Sequence, residues 1–451
     1  MNHMQWIVIG GLVVTGGLTP VTRAICALPQ RDASASRAVP LAAIPPAPAA
    51  AATGQQTVRP FEDIARDLTS PHPNVRVEAM RTLASAAHPD AIQHLAVLLT
   101  DPIDEIQSEA IDTLIGFYMV DVPKRSRKIA YLIEVDSGSR GERAFDRGPF
   151  ILLPRPSPES LKKGLAGAMR DGNPKIRLEA TYALGALVPP PAGPEAEAAL
   201  AANLRDLDGH IRFAAARVAG AVRATTITDA IVAAINDPDE KVKLAALRSA
   251  GDIRDPRAVR ALEEQFRYYQ KGTFARAAFD GLARIAEPSS LPLFREQLTS
   301  RDAAFRRLAI EGIVRAGDAK EVAAIEMATA GESDRSAQLA RAFASQRASN
   351  RGLDTIVMRV NDDVLFEQAM GYLVELGPGV AAPLAMHLKD PNARVRERIA
   401  QVLGLIGGKD AQVALEGTLR DPDVNVARAA ERGLARIRII EATRPQQPAT
   451  R

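Results

Sequence analysis

"LKDPNARVRERIAQVLGLIG", residues 388–407, is a sentence this chain says again and again. Near copies stand at 68–86 (LTSPHPNVRVEAMRTLASA), 169–187 (MRDGNPKIRLEATYALGAL), 204–222 (LRDLDGHIRFAAARVAGAV), 235–253 (INDPDEKVKLAALRSAGDI) and 419–437 (LRDPDVNVARAAERGLARI). The third residue of each copy serves as an anchor: Ser70, Asp171, Asp206, Asp237, Asp390 and Asp421. Ser70 to Asp101, Asp206 to Asp237 and Asp390 to Asp421 are each 31 residues. A fixed period of this length is the signature of a stacked-repeat architecture.

The chemistry of one copy predicts a helix. An aspartate at the anchor is expected to cap it by accepting backbone N–H bonds. Pro102, Pro238, Pro391 and Pro422 follow the anchor and are expected in the first turn, where a missing N–H costs nothing. Asp239, Glu240 and Asp423 suit the positive helix start. Val or Ile five residues past the anchor, Ala or its equivalent at nine, and apolar residues at twelve to thirteen make one stripe at helical spacing. Gly185, Gly220, Gly251 and Gly404 fall fourteen past the anchor and are expected to thin or end the helix. A second helix then leads to the next anchor, as in 89–101, 229–237 and 409–421. Such a hairpin cannot bury its stripe alone, so neighbours must stack. The expectation is an all-α chain, a solenoid of about ten antiparallel helical hairpins closed by a final helix with a charged outer face.

The L-x-D-P-x-x-x-V-R pattern, complete at 388–396, resembles the HEAT repeat, in the short HEAT-like form associated with phycobilisome bilin lyases. The resemblance covers roughly 60–440. It implies the fold and says little of function; the repeat array, the linker and the lack of a catalytic constellation point to a protein-binding scaffold or adaptor without catalysis. The resemblance leaves open a lyase- or hydroxylase-type enzyme or enzyme subunit, because the family includes such members. The residues themselves offer that reading little. There is no His-Glu dipeptide of the kind HEAT-like hydroxylases use for iron, and no Gly-rich phosphate loop or Gly-x-Ser-x-Gly elbow. His72, His88, His94, His210 and His387 are scattered, and His88 and His94 lack the spacing of a one-face metal pair. We therefore assign no catalytic residue, no metal ligand and no cofactor.

Composition agrees. The chain has 451 residues, 46% hydrophobic and only 4% aromatic, which suits close-packed helices rich in alanine. Its 57 basic and 54 acidic residues leave a net charge of +3, too small for a general nucleic-acid binder, and no nucleic-acid partner is expected.

The amino-terminal stretch 6–21 (WIVIGGLVVTGGLTPV) is apolar and shorter than the roughly 20 residues of a membrane span. Small-residue cleavage patterns follow at 22–24 and 33–35. Residues 1–35 read as a secretory signal, with an uncleaved membrane anchor as the alternative. Export to the periplasm or cell envelope follows as an expectation. Cleavage past Cys26 removes the one cysteine, so no disulfide is expected. Residues 36–58 read as a Pro/Ala-rich linker, 59–440 as the solenoid, and 441–451 as a frayed tail.

The period breaks once. After 100–120 (TDPIDEIQSEAIDTLIGFYMV) the partner helix is delayed to 157–171, leaving an insert at 121–156. Two apolar runs, 128–135 (KIAYLIEV) and 148–156 (GPFILLPRP), are expected to pair as a small β-hairpin or fold over the solenoid edge, with "ERAF" as a helical turn between. A helix over 128–135 is the alternative. From 121 to 157 basic residues outnumber acidic ones eight to five, an excess as large as that of the whole chain. Lys124, Arg125, Arg127, Lys128, Arg140, Arg143 and Arg147 are therefore candidates for binding an anionic group or an acidic protein partner, with nucleic-acid binding through this insert as a further alternative. The other reading is a structural insert whose charges are solvated or paired. A second candidate patch is Phe266, Tyr268 and Tyr269, aromatics in an aromatic-poor chain. They serve either as interface anchors or as filler between repeats.

Overall fold

The computed structural model describes residues 59–86, 90–121, 139–146, 150–152, 155–317 and 321–443. The leader and linker, Lys124, Arg125, Arg127, Lys128, Arg147, the 128–135 run, His88 and the tail from 444 lie outside the described residues.

The anchor motif builds one layer of eleven helices: Pro73–Ala86, Asp104–Tyr118, Pro174–Leu187, Gly209–Ala221, Glu240–Ile253, Gly272–Ile285, Ala303–Ala316, Arg335–Ser349, Phe366–Leu376, Ala393–Ile406 and Val424–Thr443. Each packs on the next in chain order. A second layer alternates with it, from Phe61–Asp67 and Ala91–Leu95 to Glu159–Ala168, Pro194–Asn203, Val259–Tyr269 and Lys409–Thr418. The result is an α-solenoid of ten hairpins and a closing helix, preceded by one further helix at its start. The last helix runs through Thr443, into the stretch expected to fray. The apolar stripe points between the layers: Val395, Ile399, Val402 and Leu403 are buried in one unit, and Val242, Ala246 and Leu247 in another.

Three local expectations change. The cap lies two residues past the anchor: Asn173, Asp208, Asp239 and Asn392 each accept from the backbone N–H two residues on. The anchor carboxylate instead accepts the N–H of the cap residue, as Asp237 does from Asp239 (2.9 Å) and Asp390 from Asn392 (2.8 Å). The prolines after Asp237, Asp390 and Asp421 accordingly sit in the turn, ahead of helices that begin at Glu240, Ala393 and Val424. The recurrent glycines stay inside their helices. A Cβ on Gly251 would lie 2.6 Å from Gly281 Cα, and one on Gly404 would lie 2.5 Å from Gly433 Cα. The missing side chain lets neighbouring anchor helices touch through backbone.

The arginine six residues past the anchor joins consecutive units. Arg396 donates Nη1–H to the carbonyl of its own anchor, Asp390 (2.8 Å), and forks onto the next anchor, Asp421 (2.8 and 2.9 Å). Arg76 to Asp101, Arg212 to Asp237 and Arg306 to Glu332 repeat the geometry, and Arg177 reaches Asp206. Bidentate guanidinium–carboxylate pairs are geometrically specific, so this ladder fixes the register between repeats. It crosses the insert through Gln107, whose side-chain amide donates to Asp171 (3.0 Å).

The ladder makes the fold acid-sensitive. Arg306 holds the Glu332 carboxyl down to about 2, and Arg396 lowers Asp421. A carboxyl lowered by folding contributes stability that is complete above its unfolded value, near 4.3, and lost as pH falls through the folded value. Thermal stability is expected to drop between about pH 4.5 and 2, and Glu332→Gln to flatten part of that drop. An unchanged acid profile in the variant would show that this rung contributes nothing.

Candidate functional site

The insert is built onto the free face of the anchor helices. Tyr118, the last residue of its helix, donates its hydroxyl to the carbonyl of Pro156 at the insert's far end (2.7 Å). Ser157 donates to Leu187 O (2.7 Å). Between these clasps, β1 (Met119–Asp121) pairs antiparallel with β2 (Phe150–Leu152), Val120 opposite Ile151. Within the second apolar run Phe150–Leu152 is therefore a strand, and its partner among the described residues is the short strand that continues the Asp104–Tyr118 helix. The first apolar run, 128–135, lies outside the described residues.

The expected helical turn is a short helix, Arg140–Phe145. Ser139 caps it, accepting from Glu142 N–H (3.1 Å). The helix start is seated on a buried carboxylate: Glu179, from Pro174–Leu187, accepts Gly141 N–H (3.0 Å). Gly141 is required there, since a Cβ would lie 2.7 Å from Glu179 Oε2 and 3.0 Å from its carbonyl oxygen. Burial pushes the Glu179 carboxyl up, and the Gly141 N–H and Ser139 hydroxyl pull it back. At the helix end, Phe145 enters the notch above Gly185, where a Cβ would lie 2.5 Å from its ring. Its ring lies 5.7 Å from that of Tyr182, whose hydroxyl donates to Glu142 (3.2 Å). From the next repeat, Arg217 pairs with Asp146 and lies 4.9 Å over the Phe145 ring and 5.3 Å over that of Phe213.

Among the candidate cations, Arg140 and Arg143 sit on this helix, half-buried, near Asp112 of the preceding unit. Burial raises the Asp112 carboxyl, and these two arginines counter it. Both face the solenoid. In the aromatic patch, Phe266 is buried and stacked on Phe279 (4.6 Å), with Phe305 edge-on at 5.3 Å. Tyr269 stacks on Phe274 (4.9 Å), and its hydroxyl accepts from Lys243 Nζ (3.3 Å), where a carboxylate would continue the ladder. Two of the three thus fill the joint between repeats, and Tyr268, 78% exposed, alone protrudes.

Beside Phe145 the same face opens into a cavity of about 360 Å³. Phe145, Phe213 and Leu244 give it apolar walls; Arg217, Lys241 and Arg248 bring cations, and Asp252 closes one end. Sequence reading missed it because its cations come from two repeats, and each alone resembles a solvated helix face. The signal lay in comparing equal positions: Arg217 and Arg248 both stand eleven past their anchors.

Among the described residues no group of three or more His, Cys, Asp or Glu is placed to hold a metal. The most buried polar cluster is closed on itself. Tyr372 donates to Glu311 (2.5 Å), Gln368 to Tyr372 (2.8 Å), and Arg307 and Arg315 both bind Glu311. Arg315 continues to Glu375 (2.9 Å), so the cluster ties Ala303–Ala316 to Phe366–Leu376.

Residues 196–273 match the family model for HEAT repeats. No curated protein matches the chain. Solved structures with a similar arrangement of helices include an engineered protein, at 20% identity and a TM-score of 0.39 over 84% of this chain and 98% of that one. Another is the complex of CpcE and CpcF of phycocyanin lyase from Nostoc sp., at 18% identity and 0.38 over 53% of this chain and 94% of that one. A third is Kap121p bound to Ste12p, at 14% identity and 0.35 over 85% of this chain and 45% of that one. Residues 196–273 are thus HEAT repeats, and the same hairpin, cap and ladder recur on both sides of them through the α-solenoid.

Proposed function

We propose that the protein is a non-catalytic scaffold or adaptor that binds a protein partner on the free face of its anchor helices, at and beside the seated insert helix, and that it works outside the cytoplasm. One observation carries the binding reading. The Arg140–Phe145 helix is fixed to that face by a buried carboxylate, an aromatic notch and an arginine, and an amphipathic cavity lies open next to it. A solenoid adds one helix to this face per repeat, which makes an extended surface. Aromatic and arginine side chains are the residue types that dominate interface energetics. Export rests on the apolar 6–21 stretch and the small-residue patterns after it.

The test is photo-crosslinking from single positions of the full chain in its host. Probes at Ala221 and Arg248, which line the cavity, are expected to capture the same protein. A probe at Val413, exposed on the other layer, is expected to capture none of it. Equal capture from all three, or none from the cavity, would overturn the placement. In the same cells, a mature amino terminus between residues 25 and 36 supports export, and a cytoplasmic chain retaining residues 1–35 removes it.

A further inference from the structure

The free face carries a group of exposed cations beside the cavity. Several arginines on neighbouring repeats are matched: Arg212 by Asp237, Arg257 by Asp255, Arg284 by Asp252 and Asp280. Exposed cations without such a partner, as at Arg205, Arg301 and Arg420, occur elsewhere, but Lys241 and Arg248 line a cavity. Lys241, Arg248 and Arg254, all from one stretch of helix and its end, are exposed. So is Arg223 at the end of the neighbouring helix. Among the described residues none of the four has a carboxylate within 4 Å.

Two of them hold an unusual backbone. Arg223 (φ 50°) and Arg254 (φ 59°) stand seventeen residues past their anchors, in the left-handed region at the ends of Gly209–Ala221 and Glu240–Ile253. Glycine is the ordinary residue for that turn. Gln270, Ala286 and Asn350 make the same left-handed turn at other helix ends, so the turn belongs to the repeat, and it places these two cations at helix C-termini, where the dipole favours them. Arg254 and Arg223 also repel each other. Partial desolvation and the nearby Arg315, Arg223 and Arg284 hold the Arg254 guanidinium below the usual arginine range, with Glu375 pulling the other way. Asp252 lies among them and is engaged by Arg284, so the four cations keep an excess of positive charge, which an anionic ligand stabilises.

The spacing narrows the ligand. Lys241 and Arg248, seven residues apart, share one face of the helix, and Arg254 caps its end; together they span roughly 20 Å at 1.5 Å per residue. That matches about six to seven residues of chain in the polyproline II conformation, at roughly 3.1 Å each. Carboxylates at every third residue share one face of that conformation and would meet the cations in turn. Between Lys241 and Arg248 lies the apolar part of the cavity, Phe145, Phe213 and Leu244. Arg217 already lies over the Phe145 and Phe213 rings, so these walls suit an aliphatic side chain better than a stacked base.

We infer that the row Lys241, Arg248, Arg254 and Arg223, with the Phe145–Phe213–Leu244 cavity beside it, is the docking site for an extended acidic segment of a protein partner, one aliphatic side chain of which enters the cavity. This inference rests on the scaffold reading above and names the chemistry of the partner. The segment lies along the Glu240–Ile253 helix, and its recognition is electrostatic along the row and apolar at one point.

The experiment uses the full chain and a fluorescein-labelled peptide of about a dozen residues, with Glu at every third position and one central Leu, read by anisotropy. Binding is expected, and it should weaken with salt. The double variant Lys241→Glu, Arg248→Glu, with helix content verified by circular dichroism, should bind about tenfold more weakly or worse. The same peptide with Lys for Glu should ignore the wild type and bind the double variant. Arg260→Glu, a charge change on the exposed Val259–Tyr269 helix, should have no effect. Equal binding of the acidic peptide by wild type and double variant would overturn the inference, as would binding of the Lys peptide by the wild type. A single-stranded oligonucleotide that binds tighter than the peptide and is lost in the same variant would replace the acidic protein with a nucleic acid. If the peptide fails while crosslinking from Arg248 still captures a partner, the acidic chemistry falls and the scaffold reading stands; if both fail, both fall.

Discussion

Gly404→Val is expected to destabilise the carboxy-terminal end of the solenoid by about 3 kcal/mol, the upper range for forced overpacking. Gly404 lies in the last turn of Ala393–Ile406, and its Cβ would stand 2.5 Å from the Cα of Gly433 on Val424–Thr443. The obstacle is backbone, so no side chain can rotate aside. The helices must separate, and the separation loosens Val402, Leu403, Ala430 and Leu434, all buried at this joint. Because each repeat contacts chiefly its neighbours, the loss should appear as early opening of the last two anchor helices. Hydrogen exchange would show protection falling there and holding in Glu240–Ile253. The matched control is Gly417→Ala on Lys409–Thr418, where nothing lies within 4 Å of the added Cβ. It should be neutral or stabilise by up to about 1 kcal/mol, because only helix propensity changes. If Gly404→Val melts with the wild type, backbone contact does not hold this joint.

That contact illustrates what the sequence could convey. The period, the hairpin and the buried stripe were legible, because each is set by spacing within one unit. The glycine fourteen past the anchor does thin the last turn of its helix, but its reason, a neighbour some thirty residues away, leaves no mark within one unit. The anchor aspartate was read as a cap for the same cause. Its main partner, the arginine of the previous unit, lies 25 residues earlier in three of the rungs. Once it is engaged there, the residue two further on takes the capping role. The break in the period located the insert, and the helix at Arg140–Phe145 was foreseen from composition. The pairing of β2 with Met119–Asp121 was not, because a strand directly continuing a helix leaves no periodic trace. The cavity stayed hidden for the most general reason. Its walls come from an insert and two repeats, and only stacking brings Phe145, Phe213 and Leu244 together.

Asp101→Ala is expected to cost about 3–5 kcal/mol, the cost of stranding one partner of a buried ion pair. Arg76 and Asp101 are the most buried rung of the ladder, 8% and 7% exposed. Arg76 Nε and Nη2 donate to the carboxylate at 2.6 and 2.8 Å, and Nη1 donates to Ser70 O at 2.9 Å. Without the carboxylate, the guanidinium keeps one carbonyl and loses its counter-charge. The Ile103 N–H, now bonded to Asp101 at 3.0 Å, also loses its acceptor. The double variant Arg76→Met, Asp101→Leu should recover most of the loss, because a buried pair replaced by apolar groups is often neutral. It should still fall short by about 1 kcal/mol for the unpaired N–H. Position decides how the damage shows. This rung joins the first anchor helix, Pro73–Ala86, to the second, so only one interface holds the unit beyond it. Opening there exposes one end and leaves the remaining stack intact. Exchange protection should therefore vanish over Phe61–Asp67 and Pro73–Ala86 in Asp101→Ala, while the seat of the insert helix on Glu179 keeps its protection. The corresponding change at Asp237 lies within the stack, flanked on both sides, and should lower the global transition instead. A uniform loss of protection in Asp101→Ala, or a cost under about 1 kcal/mol, would mean the ladder sets register without holding the repeats together.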